Sequence, residues 1–145
     1  MLLKVKYNAG SIGTVDVLAK TLGMDRQVLL DMANTASARY YEFSLKKKDK
    51  TDRLITAPNF DLKLVQKRIN KAIFENVSYP DYLYGGVSEK DYFKNAIRHS
   101  GAHVLISLDI RNFYPSITYA SVKKIFQYFC KFSEDVSSIL ADLTT

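Results

Sequence analysis

A carboxylate stands at the end of an apolar run, Val104-Leu105-Ile106-Ser107-Leu108-Asp109, and Ile110-Arg111-Asn112-Phe113-Tyr114-Pro115-Ser116-Ile117 follows it. An aspartate closing a buried strand is costly unless it is paired, hydrogen-bonded or bound to a metal ion. The plainer alternative is that Asp109 caps the turn after it. A second concentration of chemistry is electrostatic. Lys46, Lys47, Lys48, Lys50, Arg53, Lys63, Lys67, Arg68 and Lys71 are opposed only by Asp49, Asp52 and Asp61, so this segment carries the whole net charge of +6. The rest of the chain is neutral. Such a segment is either a solvated face or a surface for a polyanion.

Composition narrows the classes. The chain has 145 residues, 47% hydrophobic and 25% charged, the balance of one globular domain rather than a disordered tail. The single Cys130 excludes an internal disulfide framework, and with only two histidines a zinc centre has too few ligands. No apolar run approaches the roughly 20 residues that span a bilayer. Met1-Leu2-Leu3-Lys4 is too short an opening for a signal peptide. The expectation is a cytoplasmic protein with no membrane partner.

Periodicity supplies the elements that must position these groups. Val15, Leu18, Leu22, Val28, Leu29 and Met32 predict two short helices between Thr14 and Ser37, broken at Leu22-Gly23-Met24, with Asp25 capping the second. Tyr40 to Leu45 and Arg53 to Ala57 read as a β-hairpin with a basic tip, ended by Pro58. Asn59 to Asn76 reads as one amphipathic helix, with Leu62, Val65, Ile69, Ala72 and Ile73 on one face. Lys63, Lys67 and Lys71, four apart, form a stripe on another face. Tyr79-Pro80 and Gly85-Gly86 mark a loop, and Glu89 to His99 suggests a helix. His103 to Leu108 has the pattern of a strand buried on both faces. Ser121 to Phe132 is helical, and Ser133-Glu134-Asp135 starts a last helix through Leu140. The pattern is α+β.

These residues resemble a family. Tyr41 to Ile117 is similar to the N-terminal half of retron-type reverse transcriptases, relatives of the group II intron-encoded enzymes. Three blocks carry the resemblance, in the family's order, over about 75 residues. The first is Phe43-Ser44-Leu45-Lys46-Lys47-Lys48, Arg53-Leu54-Ile55, Pro58 and Leu62-Lys63-Leu64-Val65-Gln66. The second is Gly85-Gly86, Asn95-Ala96 and His99. The third is Leu108-Asp109-Ile110 and Phe113-Tyr114-Pro115-Ser116-Ile117.

The resemblance implies a partial right-hand polymerase: an N-terminal helical extension over 1–39, fingers over 40–100, and the beginning of a palm over 101–145. It implies that Asp109 is the first catalytic aspartate and binds Mg²⁺, assisted by the main-chain carbonyl of Ile110. It implies that Lys47 and Arg53 hold the incoming triphosphate, tasks that suit a mobile point charge and a planar fork. Tyr114 falls at the steric-gate position, where its ring would exclude a 2′-hydroxyl, and Pro115 is expected to keep it extended. Lys63, Lys67 and Lys71 are candidates for nucleic-acid contact. The implied partners are an RNA template, a DNA primer and deoxynucleoside triphosphates, with room left for a structured non-coding RNA. Antiphage defence and intron mobility stay equally open.

The departures matter as much. A full enzyme of this kind needs a later Leu-Pro-Gln-Gly-like segment and a Tyr-Ala-Asp-Asp-like turn, and no Asp-Asp pair occurs here. The expectation is therefore a piece of a longer protein, inactive alone. Two other classes compete. Residues 14–34, with Leu18-Ala19, Gly23 and Leu29, resemble a helix-turn-helix that would offer Arg26 and Gln27 to DNA bases. The basic hairpin and the lysine stripe would also serve a non-catalytic RNA-binding module. Asp109 separates these readings, because a pure binder has no use for an anion there.

Overall fold

The computed structural model describes residues 4–46 and 51–145. A short strand, β1 (Lys6–Tyr7), precedes helices α1 (Val15–Leu22) and α2 (Arg26–Asn34). Gly23, at φ 62°, ends α1: its N–H donates to the Lys20 carbonyl (3.1 Å) while the Met24 N–H reaches the Ala19 carbonyl (2.9 Å). That pair of bonds is a Schellman closure, and it favours glycine because the conformation is left-handed. The Asp25 carboxylate caps α2 by accepting from the N–H groups of Gln27 (2.8 Å) and Val28 (3.2 Å). Both the helix break and the cap stand where the sequence predicts them.

Strands β2 (Tyr40–Lys46) and β3 (Asp52–Pro58) pair antiparallel, with Tyr40 opposite Pro58 and Lys46 opposite Asp52. The expected hairpin is present; Lys47, Lys48, Asp49 and Lys50 lie outside the described residues. Helix α3 (Phe60–Ala72) is capped by Asn59, which accepts from the Leu62 N–H at 3.0 Å. It is shorter than its pattern suggests. A 3₁₀ turn (Phe74–Asn76) follows, and then β4 (Val77–Ser78), which pairs with β1 through Tyr7 opposite Val77. This pairing joins residues 70 positions apart, which local periodicity cannot show. Helices α4 (Tyr92–Arg98), α5 (Phe113–Ser116) and α6 (Tyr119–Lys124) come next. A π-helical turn (Ile125–Phe129) continues α6, and Ser133 caps α7 (Glu134–Thr144) by accepting from the Val136 N–H. The architecture is mixed α+β, with two separate antiparallel strand pairs among the described residues.

One apolar cluster holds α1, α2, α3, the π turn and α7 together. Leu18, Leu29, Leu62, Ile69, Ile73, Phe126, Val136, Leu140 and Leu143 are all essentially inaccessible. Each such side chain contributes on the order of 1.5–3 kcal/mol by leaving water. Phe126 stacks on Phe132 (6.4 Å between centroids) and tilts against Phe74 (5.8 Å), while Tyr7 meets Phe132 edge-on at 5.6 Å. The cluster therefore draws on the N-terminal helices, the α3 segment and the C-terminal helices alike. Among the described residues no helix is long and apolar enough to cross a membrane.

Two joints set the hairpin on this core. Gln66 Nε2 donates to the Tyr40 hydroxyl and to the Leu143 carbonyl, each at 2.9 Å. The Asn59 N–H donates to the Arg39 carbonyl at 2.7 Å. Arg68 has a structural task as well, donating to the carbonyls of Leu22 (3.2 Å) and Gly23 (2.9 Å) at the end of α1.

Two expectations fail. Residues His103 to Leu108 form no strand, and they are exposed on both sides: Ile106 retains 77% and Leu108 91% of its accessible surface. A strand exists only where a ladder partner meets it, and among the described residues no segment pairs with this one. Tyr114 is not extended either; it sits inside the helical turn α5. The turn is closed by Ser116 N–H to the Asn112 carbonyl (3.1 Å) and Ile117 N–H to the Tyr114 carbonyl (3.1 Å), which outweighs the bias that Pro115 places on its predecessor.

Removing the Gln66 amide should loosen the hairpin root. Gln66→Ala is expected to cost about 1–3 kcal/mol, since it deprives two acceptors of their donor, and a thermal melt several degrees below the parent's would register it. Cys130 is 1% exposed, and burial pushes its thiol up to about 11. At pH 8 only about one thiol in a thousand is then ionised, so alkylation should be slow until denaturant is added. The shift also fixes a sign: the unfolded thiol ionises first, so stability is full below about pH 8.5 and falls as the pH rises toward 11. Tyr7 and Tyr79, raised chiefly by burial, act in the same direction. A denaturation series from pH 7 to 11 that showed no decline would contradict this.

Candidate active site

An open cleft of about 720 Å³ lies between β3 and the turn that carries α5. Strand β3 lines it with Arg53, Leu54, Ile55 and Thr56; the facing wall contributes Asp109, Ile110, Asn112, Phe113, Tyr114 and Pro115. Residues more than 50 positions apart thus share one space. Arg53 and Asp109 are the charged side chains in this lining, one of each sign.

Each wall has a local reason for its shape. Arg53 pairs across the ladder with Leu45, and Phe43 pairs with Ile55. Directly opposed residues share a face of the hairpin. Tyr41 and Phe43, two apart, lie on that face too, with rings stacked at 5.9 Å. The hairpin thus presents an aromatic surface beside its arginine. On the other wall, Asn112 adopts a left-handed conformation, φ 53°, a region that asparagine enters more readily than most residues. This reverses the chain between Asp109 and α5. The Ser116 hydroxyl donates to the Phe113 carbonyl at 2.6 Å, and the Phe113 and Tyr114 rings meet edge-on at 5.4 Å. Tyr114 remains 78% exposed, so its ring is available at the rim of the cleft rather than committed to the core.

Asp109 is exposed to solvent. The desolvation cost that its sequence context suggests is therefore absent, because the strand that would bury it does not form. It does not cap the following turn either; Asn112 occupies the cap position of α5, with no side-chain hydrogen bond there. Asp109 lines the same space as Arg53.

A hard divalent cation would find the Asp109 carboxylate and the Ile110 main chain along this wall, oxygen donors of the kind that Mg²⁺ takes. Among the described residues no three His, Cys, Asp or Glu side chains gather into a metal cluster. The donor set fits Mg²⁺ in kind and supplies a single carboxylate.

The remaining candidates are distributed elsewhere. Lys47 lies outside the described residues. Lys63, Lys67 and Lys71 are exposed on α3. Lys63 and Lys67 border a shallower hollow of about 450 Å³ with Tyr40, Asn70 and Phe74, apart from the Arg53 and Asp109 cleft; Lys71 lines neither. Arg26 forms a salt bridge with Asp16 at 3.2 Å, and Gln27 Nε2 donates to Asp31 at 2.9 Å. The side chains that a DNA-reading helix would offer are thus turned onto carboxylates of their own segment. Sequence reasoning misses Asn112 and the stacked Tyr41 and Phe43. An asparagine three residues after Asp109, and aromatics at alternating strand positions, are the signals that could have marked them.

No protein-family model matches the chain. It is 41% identical over 143 residues to the Retron Se72 reverse transcriptase of Salmonella heidelberg, covering 98% of this chain and 38% of that protein. It is 30% identical over 152 residues to the Retron Ec48 reverse transcriptase of Escherichia coli, covering 97% of this chain and 37% of the relative. With the Retron Mx162 reverse transcriptase of Myxococcus xanthus it shares 29% identity over 139 residues, 92% of this chain and 28% of the relative. The chain therefore spans well under half the length of each.

Proposed function

Because the chain is homologous to retron reverse transcriptases, we propose that it carries the fingers and the beginning of the palm of an RNA-directed DNA polymerase. In this reading residues 1–39 are a helical extension, 40–100 the fingers and 101–145 the start of the palm. The parent activity is RNA-templated DNA synthesis in the cytoplasm. The observation that carries the reading is the shared cleft: Arg53, Asp109, Ile110 and Tyr114, chosen on sequence grounds, line one space.

Within that space the residues divide the work. Arg53 offers a planar fork to the phosphates of an incoming deoxynucleoside triphosphate, and Lys47, which the resemblance pairs with it, a mobile point charge. The Asp109 carboxylate and the Ile110 carbonyl would hold Mg²⁺, which when bound supplies charge neutralisation at phosphate oxygens. The exposed Tyr114 ring closes the sugar side, where a 2′-hydroxyl would collide with it. Lys63, Lys67 and Lys71 attract the nucleic-acid backbone from α3. The last feature alone would serve an RNA-binding module; the carboxylate opposite Arg53 is what favours the polymerase.

Binding of dTTP to the 145-residue chain in the presence of Mg²⁺, followed by equilibrium dialysis, tests these roles. Arg53→Ala is expected to weaken retention about tenfold, or about 1.4 kcal/mol. Asp109→Asn should remove the dependence on Mg²⁺. Both variants behaving like the parent would refute the reading of the cleft. Tyr114→Ala should bring the affinities for dTTP and its ribonucleotide counterpart closer together. A primer-extension assay on the chain alone should give no templated DNA, because the cleft supplies one carboxylate where two-metal transfer needs more.

A further inference from the structure

Two asparagines, each immediately before a helix, behave differently. Asn59 precedes α3 in an extended conformation, φ −62° and ψ 172°, and its side chain accepts from the Leu62 N–H. Asn112 precedes α5 in a left-handed conformation, φ 53° and ψ 39°, and its side chain makes no capping bond. Helix capping therefore does not account for asparagine at 112. Among the described residues two other non-glycine positions are left-handed, Glu89 and Lys131, and neither lines the Arg53 and Asp109 cleft. Asn112 does line it.

The left-handed residue has a geometric consequence. Asp109 and Tyr114 are five positions apart, and an extended chain of that length would separate them by roughly 17 Å. Both nonetheless line one wall of the cleft. The reversal at Asn112 leads the backbone into α5. That turn is closed by the Ser116 N–H on the Asn112 carbonyl (3.1 Å), the Ile117 N–H on the Tyr114 carbonyl (3.1 Å) and the Ser116 hydroxyl on the Phe113 carbonyl (2.6 Å). Burial does little to hold the Tyr114 ring: it is 78% exposed, and Phe113, which it meets edge-on, is 47% exposed. The place of the ring therefore depends on the backbone that carries it. Left-handed backbone is free to glycine, accessible to asparagine and aspartate, and costly for β-branched residues.

We propose that Asn112 is a positioning residue for sugar selection: its left-handed backbone, rather than its amide, sets the Tyr114 ring at the sugar side of the nucleotide in the cleft. The proposal rests on the reading of that cleft as a deoxynucleoside triphosphate site. Asn112 acts through Tyr114 in this role. A residue that leaves the left-handed region opens the turn before α5, carries the ring away and ceases to exclude a 2′-hydroxyl.

Equilibrium dialysis of the 145-residue chain with Mg²⁺, using dTTP and its ribonucleotide counterpart in separate cells, measures the preference for the deoxy sugar. Asn112→Val is expected to lower that preference about tenfold through a gain in ribonucleotide binding, a change that misfolding cannot produce. Asn112→Gly, which enters the left-handed region freely and lacks the amide, should keep the parent's preference. A preference unaltered by Asn112→Val, or lost equally in Asn112→Gly, overturns the positioning role and leaves the reading of the cleft standing. A parent chain that shows no preference refutes the gate assigned to Tyr114, and this proposal with it. Where Asn112→Val does not fold, Asn112→Ala carries the same test with a smaller loss expected. The nuclear magnetic resonance spectrum of the unaltered chain gives an independent check. A strong cross-peak between the Asn112 N–H and its own Hα, the mark of positive φ, supports the proposal, and a weak one overturns it.

Discussion

The hinge of the molecule is a single side-chain amide. Gln66 stands on the half-buried side of α3, and its Nε2 serves two acceptors, the Tyr40 hydroxyl at the root of the hairpin and the Leu143 carbonyl near the end of α7. The apolar cluster supplies most of the stability, but burial has no direction and cannot aim a hairpin. Hydrogen bonds can, because they are short and angular. The seating of the hairpin that carries Arg53 on the core thus draws on a glutamine that does not line the cleft. The Arg39 carbonyl, accepting from Asn59, fixes the other side of the same root.

The electrostatics are organised by the same framework. The basic segment between Lys46 and Lys71 is one feature in the sequence, but its described residues part company in space. Arg53 faces the cleft, Lys63 and Lys67 border a different hollow, and Arg68 folds back to close α1. A count of charges therefore overstates what any one surface offers to an anion. The cations near α4 are shared out too: Lys90, Lys94 and Arg98 line a hollow together with Asp81 and Glu89.

What the sequence discloses, and what it hides, follows from the range of the forces. The helix break at Gly23, the Asp25 cap, the α3 face and the hairpin depend on residues a few positions apart, and each is found as expected. The pairing of Tyr7 with Val77 and the capping of α1 by Arg68 join distant segments, and no local pattern announces them. The run from Val104 to Leu108 is the instructive failure. Its composition suits a strand, but composition states a preference and pairing requires a partner. Family resemblance singles out Arg53, Asp109, Ile110 and Tyr114 as residues; that they line one cleft is visible only in three dimensions. The turn holding Tyr114 departs from the bias of Pro115 because the bonds that close α5 are not written in any single residue.

The exposed stretch from Val104 to Ile110 also bears on how the 145-residue chain handles in solution. Its main chain is bonded to no other segment among the described residues, and Leu105, Ile106 and Leu108 are wet. Extended, apolar and accessible backbone is what holdase chaperones grip and proteases cleave. Asp109 and Arg111 interrupt the greasy run at its far end, as charged gatekeepers do beside aggregation-prone segments. These seven residues add nothing to the packed interior of the described chain.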